Sequence, residues 1–175
     1  MEDLQEPASV KNVSIKWGLI SGIVSILFFI LITVTETDTS PGVTWLGLIP
    51  FIIIVVLAHK EFKSSGDGYM SYGQGLGIGT LLSLVSGIIS GIFRYIWVKF
   101  LDEGYNDRIL EAQMKAMEEQ GLSDDQIEQT MELTSSFTNP EITLIFGLFM
   151  GVLFGFLLCL IISAFTKNSD PSAEV

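Results

Sequence analysis

The sequence predicts an all-α fold: an integral-membrane four-helix bundle with an acidic, extracytoplasmic helical hairpin between the third and fourth spans. Three observations predict it. Four long apolar runs are nearly free of charge, small residues recur at every fourth position in three of them, and the one long polar segment, residues 99–140, carries apolar positions at helical spacing. A bilayer core about 30 Å thick needs about 20 apolar residues in a helix. A soluble helix would be apolar on one face and charged on the other, and these runs offer only Gly, Ser and Thr as relief. The 175-residue chain as a whole agrees, with 49% apolar residues, 17% charged residues and a formal net charge of −11. Such apolar content excludes a disordered chain. The missing basic surplus excludes nucleic acid as a partner, and a single cysteine excludes an intrachain disulfide framework.

The first span covers residues 17–34. Lys11 and Lys16 precede it, as bases precede a signal sequence. The run is longer than such a segment and ends in TETDTSPG, without a small-x-small cleavage pattern, so it reads as an uncleaved span. The second, 41–58, is the shortest and carries Pro50 in its middle, where a missing N–H predicts a kink; a re-entrant segment is the rival reading. The third, 76–98, holds one charge, Arg94, and the fourth, 142–165, holds none. All four belong to a single membrane domain over residues 1–175.

An even number of spans puts both termini on one side. That side carries Lys11, Lys16, Lys60, Lys63 and Lys167, all near span ends, against Lys99, Arg108 and Lys115 on the other. The excess of bases predicts cytoplasmic termini. Trp17, Trp45, Tyr95 and Trp97 fall at span ends, where amphipathic rings favour the headgroup level. Arg94 is near enough to its span end to snorkel outward, and Glu141, opening the fourth span at similar depth, is its expected ion-pair partner.

The step of four is the most specific signal. The third span has Gly75, Gly79, Ser83, Gly87 and Gly91; the fourth has Gly147, Gly151, Gly155, Cys159 and Ser163; the first has Ser14, Gly18 and Gly22. Helices in lipid gain little from the hydrophobic effect, so close backbone approach and dispersion hold them together, and small residues permit it. A step of four overshoots the 3.6-residue turn by about 40°, so each row winds around its helix. Spans one, three and four are therefore expected to form the tight core, with span two at its periphery. An oligomer interface or a pore lining is the other use of such rows, and a homo-oligomer is one expected assembly.

The polar segments carry little chemistry. The glycines of GQGLGIG lack the preceding strand and the following Lys-Ser/Thr of a phosphate loop. His59, the only histidine, reads as a solvated interfacial residue, with no Cys or carboxylate cluster to make a zinc site. Residues 99–140 hold three bases against ten acids, a net charge of −7. Leu110, Met114 and Met117, with Ile109 beside them, make one apolar helical face, Gly121 stops that helix, and Ser123 with Gln126 fits a capping box. A second helix with Ile127, Met131 and Thr134 on one face runs to about Phe137, giving a hairpin over 105–138. Asn139, Pro140 and Glu141 then fit the N-cap and first turn of the last span. Met114, Met117 and Met131 are soft donors that suit copper(I), but no Cys or His joins them, and apolar filling is the better reading. No EF-hand spacing makes the acids a calcium site. No cofactor is expected.

The stretch GYMSYGQGLGIGTLLSLVSGIISGIFRYIWVKFLD, followed by KAMEEQGLSDDQIEQTMEL and then NPE before a glycine-rich last span, resembles a family of four-span bacterial membrane proteins catalogued as a domain of unknown function. The resemblance covers residues 10–167. It implies the four-span topology and a bacterial inner membrane, and it implies no catalytic or binding residue. No Ser-His-Asp set exists and no carboxylate lies inside a span, so no enzyme is expected. The expectation is a non-enzymatic scaffold or accessory subunit in the lipid bilayer, with a protein partner at the acidic hairpin; an oligomeric channel or small-solute transporter is the alternative.

Overall fold

The structure is a computed structural model that describes residues 9–40, 42–135 and 139–169. The regular elements among them are helices: α1 (Val10–Val34), α2 (Val43–Leu46), α3 (Leu48–Ser65), α4 (Tyr72–Ile96), α5 (Tyr105–Glu119), α6 (Asp124–Ser135) and α7 (Pro140–Thr166). A π-helical turn, Trp97–Leu101, continues α4. Among the described residues, three helices are long and apolar enough to cross a membrane: α1, α4 with its π turn, and α7.

The second apolar run is not a single helix. It breaks at Gly47 into α2 and α3, and α3 begins at Leu48. Pro50 thus falls in a first turn, where a backbone N–H has no intrahelical acceptor and its loss costs nothing. The expected mid-helix kink is replaced by a break three residues earlier. Pro41 and the end of the expected hairpin, residues 136–138, lie outside the described residues.

Four helix ends meet at one end of the bundle. Lys16 Nζ and Trp17 Nε1 of α1 both donate to Glu61 Oε2 of α3, at 2.8 and 3.1 Å. Lys63 Nζ donates to the Thr166 carbonyl of α7 at 2.9 Å. Met70, just before α4, pairs with Asn168 in an isolated antiparallel bridge. The start of α1, the finish of α3, the start of α4 and the finish of α7 therefore share what is called here the terminal end. The α5–α6 pair sits at the opposite, hairpin end.

Helix α4 is the axis. It packs along α1 on one side and α7 on the other, α3 touches all three, and α1 and α7 scarcely meet. A capping box starts α4: Ser71 Oγ accepts from Gln74 N at 3.2 Å and Gln74 Oε1 accepts from Ser71 N at 2.7 Å. Ser83 and Ser90 return their hydroxyls to the carbonyls four residues back, at 2.7 and 2.8 Å, which satisfies them inside an apolar helix. Ser86 donates to Ser21 of α1 at 3.0 Å, a buried clasp between helices.

The core sits in the terminal half. Val55, Ala58, Met70, Ile78, Leu82 and Cys159 are all fully buried. Two of these belong to α3, so its terminal half is core rather than periphery. Its hairpin half is looser: a cavity of about 130 Å³ separates it from α1 around Pro50 and Phe51. Leu27, Ile145, Phe149 and Phe165 stay exposed on the outer faces of α1 and α7. A bilayer would cover that surface.

Candidate functional site

The site follows from how the small-residue rows meet. Gly18 and Gly22 of α1 lie against α4: a methyl group on them would stand 2.7 Å from Val85 Cβ and 3.0 Å from Ile89 Cβ. Between α4 and α7 the rows are antiparallel and in register at the terminal end. Gly75 faces Ser163, Gly79 faces Cys159, and Ser83 faces Gly155, where a methyl would stand 2.8 Å from Ser83 Cβ. Continued in register, Gly87 would meet Gly151 and Gly91 would meet Gly147. They do not meet. Gly87 and Gly91 lie instead against Leu148 and Leu144, with 2.9 and 3.0 Å for added methyls, while Gly147 and Gly151 face open space. The winding of a step-of-four row accounts for it: about 40° per repeat carries the α7 glycines out of the contact within two repeats. The rows thus pack at Gly18, Gly22, Gly75, Gly79, Ser83, Gly87, Gly91 and Gly155. The expectation that Gly147 and Gly151 pack against a neighbouring helix is corrected.

What they face is a half-open cavity of about 670 Å³ at the hairpin end, within the range of small-molecule sites. Its walls are α1 (Phe28, Phe29, Ile32), α4 (Gly87, Ser90, Gly91, Arg94) and α7 (Leu144, Gly147, Leu148, Gly151), and α5 roofs it with Ile109, Ala112, Gln113 and Ala116. Gly151 is about 16 Å along α7 from Pro140, at 1.5 Å per residue, so the cavity runs deep into the bundle. Ile109 takes part in the roof, whereas Leu110, Met114 and Met117, the apolar face read from the sequence, do not line the cavity. Alanines at 112 and 116 bring the backbone nearer than methionines would. A Schellman turn ends α5, with Leu122 N on Met117 O and Gly121 N on Glu118 O.

Charge gathers at the cavity mouth. Arg94 is exposed within it and donates through Nη2 to Tyr105 Oη at 3.3 Å. Its guanidinium lies over the rings of Phe29 and Tyr105, at 5.7 and 5.5 Å, a cation–π geometry. Phe29 is the hub of an aromatic cluster, edge-on to Phe93 and Trp97 and tilted against Tyr105. Tyr105 is buried, and burial pushes its phenol above the ordinary range, so it stays protonated at neutral pH. Asp38, from the loop after α1, lines the same cavity, and its buried Oδ2 has no hydrogen-bond partner among the described residues. Arg108 pairs with Asp102 at 2.7 Å, and that guanidinium holds the Asp102 carboxyl below its usual range.

The expected Arg94–Glu141 pair does not form. Glu141 accepts from Lys99 Nζ at 2.5 Å and from Tyr95 Oη at 3.0 Å. Depth was matched, but Arg94 points to Phe29 and Tyr105, while Lys99 and Tyr95, four residues apart on α4, share the side of Glu141. The Arg94→Ala and Glu141→Ala changes should therefore be additive in thermal stability, as sites without shared partners are; coupling between them would contradict this geometry.

His59 is the residue that sequence reasoning placed wrongly. It is fully buried rather than solvated. Nε2 donates to the Gly75 carbonyl of α4 at 2.9 Å, and Nδ1 bonds Thr166 Oγ1 of α7 at 2.8 Å. One ring joins three helices at the terminal end.

The family described as "Protein of unknown function (DUF4199)" matches residues 16–168. The chain belongs to this family. No curated protein and no solved structure matches it. The DUF4199 match runs from within α1 through the end of α7 and so includes the roof over the cavity.

Proposed function

We propose that the chain is a non-enzymatic, four-pass protein of the bacterial inner membrane that serves as an accessory or interaction subunit. In this reading α1, α3, α4 and α7 cross the bilayer, with α2–α3 completing the second crossing. Both termini are cytoplasmic, and the α5–α6 hairpin stands outside. The meeting of four helix ends at the terminal end supports it, because α3 returns the chain there before α4 sets out. The observation that carries the interaction role is the division of α5. Its Ile109–Ala112–Ala116 side roofs the bundle, and Glu111, Glu118 and Glu119 are exposed, as are Asp124, Asp125 and Glu128 on α6. The hairpin thus meets the bundle through Tyr105 and the cavity-lining side of α5, and its acids are exposed. Attraction from such a surface steers a basic partner and is screened over about 8 Å at physiological salt.

The test neutralises those six acids together as Gln or Asn, which leaves the roof untouched. The expected result is an inserted, stable protein that loses a partner captured by the native chain in mild detergent, with native capture weakening as salt rises. Capture that ignores both the substitutions and the salt would contradict the proposal. The cavity supports a second reading, a small-solute transporter. The contacts of Gly79 with Cys159 and Ser83 with Gly155 close the bundle below the cavity, so transport would require α7 to part from α4. Solute or ion flux in liposomes would favour that reading.

A further inference from the structure

The cavity holds two opposite charges that do not pair with each other. Arg94 makes no ion pair among the described residues. Asp38 leaves Oδ2 buried without a partner. Both line the same 670 Å³ space, and both stand near Tyr105, which receives the Arg94 hydrogen bond and feels the Asp38 charge. A buried carboxylate oxygen without a donor is costly. A ligand cation at the part of Asp38 that lines the cavity would offset its charge. A purely anionic head would be drawn to Arg94 and repelled by Asp38. A purely cationic head would meet the reverse. A head carrying an anion and an ammonium a few bonds apart satisfies both.

Below the mouth the walls turn apolar. Phe28, Ile32, Leu144 and Leu148 line the space, and Gly147 and Gly151 leave a smooth track where no other part of the protein lies within 4 Å of a methyl placed on either glycine. That shape fits a hydrocarbon chain. The bare glycines matter here, because a side chain at either position would occupy the track.

We infer that this cavity binds a zwitterionic amphiphile with a phosphate and a primary ammonium in its head, an aminophospholipid or its single-chain form. The phosphate sits on Arg94, with the protonated Tyr105 phenol able to donate to it. The ammonium donates to Asp38. One acyl chain runs down the Gly147–Gly151 track. The ligand enters from the leaflet at the hairpin end, under the α5 roof. The inference does not depend on the accessory role proposed above, since it concerns a ligand inside the bundle and not a partner outside it.

The test uses the full chain, delipidated in detergent, and three probes: lysophosphatidylethanolamine, lysophosphatidylglycerol and free phosphoethanolamine. Affinity is read by titration calorimetry and the bound mass by native mass spectrometry. The ethanolamine lysolipid should bind at least tenfold tighter than the glycerol one. Arg94→Gln should weaken both lysolipids at least tenfold. Asp38→Asn should abolish the preference, weakening the ethanolamine form and improving the glycerol form. Gly151→Leu should block both lysolipids without lowering the melting temperature. If Arg94→Gln fails to fold, the loss of preference in Asp38→Asn carries the test alone. Equal affinity for the two lysolipids in the native chain would overturn the inference, leaving only unspecific filling by hydrocarbon. Free phosphoethanolamine binding as tightly as the lysolipid would overturn the lipid assignment in favour of a soluble phosphoamine.

Discussion

Gly155→Leu should destabilise the chain by more than about 3 kcal/mol, the upper range for overpacking a filled contact, and should keep it from accumulating in membranes. A methyl at Gly155 already overlaps Ser83, with Phe51 at 3.6 Å behind it, so a larger side chain must push α7 off α4. Four residues away the expectation reverses. Gly151 faces open space, and Gly151→Ala should stabilise by about 0.5–1 kcal/mol, the ordinary gain from removing a glycine inside a helix. Thermal unfolding in detergent reads both. Equal losses at 151 and 155 would mean that the two rows stay in register along their whole length and that Gly151 faces no cavity.

His59→Ala should cost about 3 kcal/mol, from two lost hydrogen bonds at about 1 kcal/mol each and a hole in a filled core. The loss falls on the junction of α3, α4 and α7, because the ring reaches Gly75 and Thr166 at once. His59→Gln, which keeps a donor and an acceptor, should recover part of it. Limited proteolysis offers a local readout: the segment between α3 and α4 should become cleavable in His59→Ala while the α5–α6 pair keeps its native pattern. A variant as stable as the native chain would contradict the bridging role.

Sequence patterning carried the architecture where it depends on properties local to one helix. The apolar lengths of α1 and α7, the Asn139–Pro140 start of α7 and the Gly121 stop of α5 are each written in a short stretch, and each is found. The step of four was equally legible, including its winding. Which glycines leave the contact was not, because that depends on where along α7 the accumulated rotation exceeds what α4 can follow. Arg94 shows a related limit: depth can be counted along a helix, but its partner depends on which way the side chain points and on Phe29 and Tyr105, which belong to other helices. His59 was misplaced because its neighbours Lys60 and Glu61 make the stretch look solvated, whereas its real partners lie 16 and 107 positions away. The roofing side of α5 was not legible, because Ala112 and Ala116, which permit a near approach, leave no marked apolar stripe in the sequence.

The central claim is that the small-residue rows of α4 and α7 meet at the terminal end, whereas at the hairpin end Gly147 and Gly151 turn out of that contact into a water-accessible cavity. A single cysteine tests it most directly. In a Cys159→Ala chain, delipidated in detergent, Gly151→Cys should react readily with a small charged thiol reagent, whereas Ser86→Cys, held in the buried contact with Ser21, should stay inert until the protein is denatured. A cysteine at 151 as unreactive as one at 86 would contradict the claim, because it would place Gly151 inside a closed helix contact.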